Sequence, residues 1–329
     1  MIQVKVPATS ANMGSGYDSI GIALNLYNII RMEESDRIEI TEVSGEPVPT
    51  DETNLIYQCA KKVYDICGKP LKGMKIIEEC AIPQTRGLGS SSACTVAGIL
   101  GANALLGNPL DRENIIDLAA SIEGHPDNST PAILGGFCVA LLEYGKVWSV
   151  RVPMNGQVDF ITFIPDFELS TEKARAALPQ AIAHHDAVFN LARAALLAGS
   201  LTTGKLENLG VAVGDCLHQP YRFDLIPDGR EVMHAAKAMG ALGAFISGAG
   251  PSIIAVVARR CTANSTFRTG SPFGWCATRW ARSSARHKAT RGTAPSRFFD
   301  LCVKGTPLHA PRWGIQGGKQ ENESYRSEV

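Results

Sequence analysis

A glycine- and serine-rich stretch, residues 87–92 with the sequence Gly-Leu-Gly-Ser-Ser-Ser, stands directly before an apolar run at helical spacing. A loop that holds a triphosphate needs glycines, because backbone N–H groups must approach the anion, and a helix N-terminus adds the positive end of its dipole. Serine hydroxyls bind phosphate oxygens or Mg²⁺. No Gly-Lys-Ser/Thr is present, so this is not a Walker A loop. Taken alone, the stretch indicates either a nucleotide site or an ordinary capped turn.

Three other segments concentrate polar side chains in turns. A Gly/Ser-rich turn near the N-terminus holds Asn12 and Asp18, and residues 243–252 form a second glycine-rich turn. The segment 123–128 follows a predicted helix, and its polar members are Glu123, His125, Asp127 and Asn128. Each pattern is weak by itself, since an exposed helix end before a proline turn explains the third segment equally well.

The bulk composition limits the class of protein. The chain has 329 residues and 45% hydrophobic residues, enough for one large or two medium domains with a buried core. Its formal net charge is zero, which argues against a nucleic-acid or membrane partner. The nine cysteines are scattered without a Cys-x-x-Cys, which argues against a disulfide framework or a structural zinc motif and favours a reducing cytoplasm. We find no N-terminal signal core and no apolar run of membrane-spanning length.

Hydrophobic periodicity predicts strands and helices without strict alternation, and therefore an α+β fold. The predicted strands are 2–6, 37–43, 73–80, a hairpin over 135–152 that turns near Tyr144 and Gly145, 158–165, and a pair within 243–257. The predicted helices are one that begins at Leu55 with Asn54 as its cap, one that follows the three serines, 112–122, 172–178, 184–198, 205–217 and 229–239.

The chain divides into two predicted domains and a tail. We predict an N-terminal domain over 1–155 and a second domain over 156–257, because Pro153 and Gly156 mark the boundary. Residues 258–329 hold thirteen Lys and Arg against four Asp and Glu, and three of the four tryptophans. Disordered tails rarely carry so many aromatic residues, and core segments rarely carry so many arginines. We interpret this basic tail as the product of a shifted reading frame and predict it to be irregular; an RNA- or membrane-binding arm is the alternative.

In combination, the segments resemble the motifs of the GHMP kinase superfamily. These motifs are an N-terminal segment from Pro7 to Asp18, a phosphate loop from Pro83 to Ala93 and a late glycine-rich turn from Ser247 to Ser252. The loop departs from the usual pattern at 84–86, where Gln-Thr-Arg replaces smaller residues. The segments EGHPDN, STEKAR and PYRFDLIP are similar to those of the homoserine kinases within this superfamily. The resemblance covers residues 1 to about 257 and ends at the tail.

This resemblance implies a two-domain GHMP kinase fold, with an N-terminal ribosomal-protein-like β-α domain and a C-terminal ferredoxin-like α/β sandwich. It implies an ATP:L-homoserine O-phosphotransferase of threonine biosynthesis that uses ATP and Mg²⁺. Two alternatives stay open: another GHMP kinase of the mevalonate type, or a nucleotide-binding remnant impaired by its altered C-terminus. The oligomeric state also stays open, with a homodimer as one option.

The resemblance further assigns a nucleotide and metal site. It places Mg²⁺ at Ser91 and Glu123. The base of ATP has no clear motif; we expect it near Asn54, for which an ordinary helix N-cap is the other interpretation. The triphosphate would bind the loop made of Pro83, Gln84, Thr85, Arg86, Gly87, Leu88, Gly89, Ser90, Ser91, Ser92 and Ala93.

Substrate and catalytic residues follow from the same family positions. Arg175 and Arg222 match positions for the homoserine carboxylate, which suits an arginine fork. The candidates for the ammonium group and its surroundings are Asn12, Asp18, Asp127 and His125, and the catalytic candidates are Glu123, Asp127 and Asn128. Asp127 either removes a proton or only orients the substrate, because a loose phosphoryl-transfer transition state needs little help from a base.

Overall fold

The computed structural model describes residues 1–45, 47–155 and 158–259, together with the backbone of 275–280. The strands are β1 (Ile2–Ala11), β2 (Ile20–Ser35), β3 (Glu39–Glu42), β4 (Gly73–Cys80), β5 (Phe137–Glu143), β6 (Lys146–Val152), β7 (Val158–Pro165), β8 (Gly243–Ile246), β9 (Ile253–Ala258) and β10 (Trp275–Trp280). The α-helices are α1 (Leu55–Ile66), α2 (Ser90–Leu105), α3 (Arg112–Glu123), α4 (Ser129–Leu134), α5 (Thr171–Ala176), α6 (His184–Thr203), α7 (Leu209–Ala212), α8 (Gln219–Arg222) and α9 (Gly229–Ala238), and 3₁₀ turns lie at Leu206–Asn208 and Phe223–Leu225. The mixture of strands and helices confirms the predicted α+β class.

The first sheet is organised around the long strand β2. Its order is β3-β4-β2-β5-β6, and β1 also pairs with β2. All pairs are antiparallel except β3 with β4. On the side of β2 opposite β1, β5 pairs with residues 20–22 and β4 pairs with residues 28–35. This arrangement places the turn between β1 and β2, which holds the first polar segment, at one end of the sheet.

The second sheet is antiparallel and has the order β10-β7-β9-β8. Its strand β10 corrects one expectation, because Trp275–Trp280 of the tail is a strand that pairs with β7 and is not irregular. The rest of the predicted tail beyond Arg259 lies outside the described residues.

One apolar core runs through both sheets. Buried side chains of β1, β2 and α2 belong to the same cluster as Phe160 of β7, Leu197 of α6 and Phe245 of β8. Burying such side chains stabilises a fold by about 1.5–3 kcal/mol each. The two sheets are therefore packed together and are not merely linked by the chain.

Local signals explain where the helices begin and end. Asn54 caps α1 by accepting the N–H groups of Ile56 and Tyr57, as predicted. Asp111 caps α3, which ends at Gly124 in the left-handed conformation. Among the residues that the structure describes, no helix is both long and apolar enough to cross a membrane.

One strand was not predicted, and one predicted helix differs from the structure. The apolar segment after Asp18 is the start of the sixteen-residue strand β2, which alternates between buried and half-buried positions. The helix predicted over 205–217 is a 3₁₀ turn followed by the single turn α7. Its later part is a loop because Asp215 accepts the N–H groups of residues 217, 218 and 219 and starts a new turn there.

Candidate active site

Within the phosphate loop, Gly89 immediately precedes α2 and has the left-handed conformation with a φ of 69°. No side chain in the described part of the chain caps the first turn of α2. The backbone N–H groups of that turn are therefore donors for an anion, and the helix dipole adds positive potential. The loop has the geometry expected of a phosphate-binding loop.

The late glycine-rich turn between β8 and β9 packs directly on this loop. The Ser247 hydroxyl donates to the Gly87 carbonyl oxygen at 2.5 Å, and the Ser252 hydroxyl donates to the Arg86 carbonyl oxygen. A Cβ on Gly87 would collide with the Ser247 carbonyl oxygen, so the close approach requires glycine. The contact explains why two glycine-rich segments so far apart in sequence form one unit.

Glu123, at the end of α3, reaches the beginning of α2. Its carboxylate accepts hydrogen bonds from the Ser92 hydroxyl and, at 2.8 Å, from the Thr95 hydroxyl. Ser91 is exposed, and no hydrogen bond within the described residues joins it to Glu123. The structure thus brings Ser92 to Glu123, where the sequence pointed to Ser91. Thr95 was not among the predicted site residues, although it follows Ser92 by one helical turn.

The segment after α3 holds a tight polar pair. Asp127 is buried, and its Oδ1 lies 2.7 Å from Nδ1 of His125. Burial acts to lower the pKa of His125, but the hydrogen bond and the negative charge of Asp127 outweigh it, and the net pKa is raised. Asn128 accepts a hydrogen bond from the Thr9 hydroxyl of β1 at 2.7 Å. These contacts fix the segment against the first sheet.

Asn12 links the N-terminal turn to the late glycine-rich turn. Its Oδ1 accepts the Asp18 N–H at 2.9 Å, and its Nδ2 donates to the Gly248 carbonyl oxygen at 2.8 Å. Asp18 in turn binds Arg175 through two hydrogen bonds of 3.0 Å each. The predicted substrate residues Asn12, Asp18 and Arg175 are therefore close neighbours.

Arg222 is buried behind these residues. Its Nη1 donates to the Gly248 carbonyl oxygen at 2.8 Å, the same oxygen that Asn12 contacts, and lies 3.1 Å from Nδ1 of His218. Burial lowers the pKa of Arg222 below its ordinary value. The ring of Tyr17 is close to both arginines, with its centroid 5.4 Å from Cζ of Arg222 and 5.7 Å from Cζ of Arg175.

A buried polar cluster supports Arg222, and the sequence did not reveal it. His218 has no exposed side-chain surface; its Nε2 donates to the Gly14 carbonyl oxygen at 2.7 Å and its Nδ1 accepts from Arg222. Burial lowers the pKa of His218 to about 4, so the neutral ring fits both contacts. Asp215 accepts three backbone N–H groups and the amide of Asn190. The only available sequence signal was the helical spacing of His218 and Arg222.

Two predicted nucleotide residues have other partners. Asn54 is 2% exposed; besides capping α1, its amide donates to Glu78 at 2.7 Å and to the Pro49 carbonyl oxygen at 2.9 Å. This uses its whole hydrogen-bonding capacity, so we correct the assignment: Asn54 is a structural cap and has no group left for a base. Arg86 donates to the Asp166 carbonyl oxygen at 2.9 Å and pairs with Glu168, so its side chain holds the loop to the segment after β7.

The remaining loop residues form the frame of the site. Leu88 is buried and its carbonyl oxygen accepts the Thr9 N–H at 3.0 Å, while Thr85 accepts the Leu169 N–H at 3.0 Å. Ser90 donates to the Ile82 carbonyl oxygen at 3.3 Å. Burial varies among the other members: Ala93 is buried, whereas Pro83 and Gln84 are half-buried.

The fold and this loop define a class of kinases. The model for the GHMP kinases N terminal domain matches residues 54–136, and the model for the GHMP kinases C terminal domain matches residues 192–267. The N-terminal match contains the phosphate loop and the segment 123–128. The C-terminal match contains the late glycine-rich turn and extends about ten residues beyond the predicted end of the resemblance.

Individual relatives narrow the class. The chain is 51% identical over 259 residues to a homoserine kinase from Caldicellulosiruptor saccharolyticus, covering 78% of this chain and 84% of that protein. A homoserine kinase structure from Cytophaga hutchinsonii superposes with a TM-score of 0.71 at 31% identity, covering 79% of this chain and 86% of the other. A mevalonate kinase structure from L. major, at 16% identity and a TM-score of 0.58, shares the fold alone. The chain belongs to the homoserine kinase family of the GHMP kinases.

Proposed function

We propose that this kinase transfers a phosphoryl group from ATP to the side-chain hydroxyl of L-homoserine. The observation that carries the proposal is the Asp18–Arg175 ion pair beside the phosphate loop and the late glycine-rich turn. The chain is also 51% identical to a homoserine kinase. A zwitterionic amino acid needs an anionic partner for its ammonium group and, close by, a cationic partner for its carboxylate. The pair offers both, and the contacts of Asn12 with Gly248 and of Ser247 with Gly87 connect it to the loop.

The triphosphate of ATP would bind the N–H groups at the start of α2 and the serine hydroxyls of the loop. The oxygen atoms of Glu123 and of the neighbouring hydroxyls fit Mg²⁺, because this ion prefers carboxylate, hydroxyl and phosphate oxygens as ligands. Glu123 and the hydroxyls of Ser91 and Ser92 would hold it. The ion would neutralise charge on the phosphates when bound.

The substrate would exchange partners with the existing ion pair. Its carboxylate takes the guanidinium fork of Arg175, and its ammonium group takes the carboxylate of Asp18 and the amide oxygen of Asn12. Arg222 would add a second positive charge beside Tyr17, and it holds Gly248 in place. An uncharged alcohol would leave Asp18 paired with Arg175 and would gain none of these charge-assisted contacts.

We assign the substrate hydroxyl to Asp127, a buried carboxylate of the segment 123–128. It lies beside His125 and next to Asn128, whose side chain is held by Thr9. We expect Asp127→Asn to lower kcat by roughly 10²-fold, because the variant can neither accept a proton nor orient the hydroxyl with a full charge. The matched change Asp36→Asn, at a side chain 93% exposed, should leave kcat unchanged. An unimpaired Asp127→Asn enzyme would remove Asp127 from the site.

An ADP-release assay on the purified full chain tests the proposed reaction. We expect turnover with ATP and L-homoserine that is at least tenfold faster than with mevalonate. Faster turnover with mevalonate would establish the mevalonate-type alternative. Binding of ATP without turnover of either alcohol would establish the impaired remnant.

A further inference from the structure

Three potential metal ligands meet where β4 ends and α2 begins. Glu78 and Cys80 are two residues apart on β4, so their side chains share one face of the strand. Cys94 comes from α2, one turn after Ser90. One carboxylate oxygen and the two sulfur atoms all lie within 4.8 Å of one another. The sequence pattern, Glu-x-Cys followed by a distant Cys, does not predict this cluster, because Cys94 is brought to the other two residues only by the fold, which sets α2 beside the end of β4.

The surroundings of the cluster favour a cation. Glu78 is 2% exposed and Cys80 is 8% exposed, whereas Cys94 is half-buried and gives access from outside. In the described part of the chain no Lys, Arg or His forms an ion pair with Glu78. Burying a carboxylate that has neutral hydrogen-bond donors but no cationic partner costs free energy. A bound cation would supply the missing positive charge.

The donor atoms select the kind of cation. Two thiolates and one carboxylate suit Zn²⁺, which binds sulfur at about 2.3 Å and carboxylate oxygen at about 2.0–2.2 Å, and they do not suit Mg²⁺ or Ca²⁺. Asn54 donates to Oε1 of Glu78 at 2.7 Å, and the Cys80 thiol donates to Oε2 at 3.7 Å, a hydrogen bond that metal binding would replace. An outer hydrogen bond such as that from Asn54 is typical of metal-binding carboxylates.

We propose that Glu78, Cys80 and Cys94 bind one Zn²⁺ ion, with water at a fourth position. Binding replaces the two thiol protons by two sulfur–zinc bonds and releases those protons to solvent. The ion would join the end of β4 to α2 and so close the segment 81–93, which contains the whole phosphate loop. The proposal concerns a structural site and does not depend on which alcohol the enzyme phosphorylates.

Zinc content of the full chain tests the site. The chelator-treated protein is titrated with Zn²⁺ by calorimetry, and the retained metal is measured after desalting. We expect one zinc equivalent that is lost in Cys80→Ser and in Cys94→Ser and kept in Cys67→Ser, a half-buried cysteine outside the cluster. With Co²⁺ as the probe, the same two variants should lose the thiolate-to-cobalt absorption band. Metal retention that is unchanged in both cluster variants would overturn the proposal.

Two further measurements complete the test: alkylation of the cysteines with and without Zn²⁺, and Zn²⁺ binding by a variant of Asn54. In the unmutated chain, Zn²⁺ should protect Cys80 and Cys94 from alkylation, as read by mass spectrometry, which answers the question even where a variant fails to fold. Asn54→Ser keeps a helix-capping hydroxyl but loses the donor to Glu78, and it should weaken Zn²⁺ binding about 10–100-fold. Unprotected Cys80 and Cys94 at saturating Zn²⁺, or a Cys80–Cys94 disulfide with no zinc retained, would refute the site.

Discussion

Arg175 and Asp18 bind each other through both guanidinium arms, yet both side chains are partly exposed, at 45% and 34%. Ion pairs of such exposure contribute only about 0.2–1 kcal/mol to stability. A ligand can therefore separate them at little cost. Arg222 differs from Arg175 in this respect, because it is 2% exposed and bound to a backbone carbonyl oxygen and to His218. The two arginines therefore differ in accessibility, and under the proposed function we expect Arg175 to contact the substrate and Arg222 to support the site from behind it.

We expect Arg175→Ala to raise the KM for homoserine by roughly 10–100-fold, because it removes charge-assisted hydrogen bonds worth about 1.5–3 kcal/mol. The KM for ATP should stay within about twofold, since Arg175 contacts Asp18 and not the phosphate loop. Steady-state kinetics with each substrate varied in turn provide the measurement. The control is Arg230→Ala, which breaks another exposed Arg–Asp pair with Asp224. Equal effects on both KM values would show that Arg175 does not bind the amino acid.

His218 makes the stability of the fold sensitive to acid. Burial lowers its pKa from 6.5 to about 4 in the folded chain. Between these pH values the unfolded chain binds a proton that the folded chain excludes, so this contribution to stability is present above pH 6.5 and is lost as the pH falls towards 4. The slope approaches about 1.4 kcal/mol per pH unit.

Urea unfolding of His218→Gln between pH 7 and pH 4 measures this effect, because glutamine keeps a donor and an acceptor but has no titrating ring. We expect the variant to lose less stability on acidification than the unmutated chain. His234→Gln, a change at an exposed histidine, should retain the full slope. Identical slopes for all three chains would assign the acid sensitivity to other groups.

At the scale of elements, the phosphate loop takes its shape from its packing partners. Gly89 lies against the side chain of Thr9 in β1, and Gly87 lies against the turn between β8 and β9. The two glycines that indicate a phosphate loop therefore also allow this loop to pack closely on β1 and on the turn between β8 and β9. Glycine serves both purposes here, since a side chain would neither fit nor adopt the φ of 69° at Gly89 without strain.

Gly89→Ala should abolish measurable ATP binding and lower the free energy of unfolding by about 2–4 kcal/mol, because strain and a collision with Thr9 combine. Gly107→Ala is the matched control: Gly107 has a φ of 83°, but a Cβ there meets nothing within 4 Å. The control should lose only about 1 kcal/mol and keep its ATP affinity. Nucleotide titration and denaturant unfolding of both variants test the prediction. Comparable losses in the two variants would mean that strain alone, and not packing, explains Gly89.

At the scale of the whole molecule, the two sheets behave as one packed body. The shared core is reinforced by polar contacts across it, including Ser15 to the Ala212 carbonyl oxygen at 2.8 Å and Asn12 to the Gly248 carbonyl oxygen at 2.8 Å. The candidate site uses segments from both sides of this contact. A ligand that binds the candidate site should therefore stabilise the whole folded chain and not one sheet alone.

We expect a single calorimetric unfolding transition for the full chain, because the main apolar cluster contains side chains of both sheets, and the two smaller clusters beside the second sheet pack on strands that also contribute to it. ATP with Mg²⁺ at a hundredfold excess over its Kd should stabilise the folded chain by about 2.7 kcal/mol and raise the Tm of that one transition. Two transitions, of which ATP shifts only one, would contradict this linkage. Absence of any shift would show that the folded chain does not bind the nucleotide.

Much of the fold was predictable because its signals are local. The cap at Asn54, the helix after the serines and the hairpin with its turn at Tyr144 and Gly145 depend on neighbours in the chain, and each was found in the structure. The strand β2 and the short helix α7 were not predicted. Their identity depends on pairing with β1 and on the backbone contacts of Asp215, neither of which is visible in a short window of sequence.

By itself, the sequence determined the α+β class, the kinase family and the polar segments of the candidate site, because residue types and short spacings carry that information. Only the tertiary structure decided which of these residues meet. It joined Glu123 to Ser92, Asp18 to Arg175 and Glu78 to Cys94, and it buried Arg222 against His218. The physical reason is that these contacts cross between distant segments, so their distances follow from strand pairing and core packing and not from position along the chain.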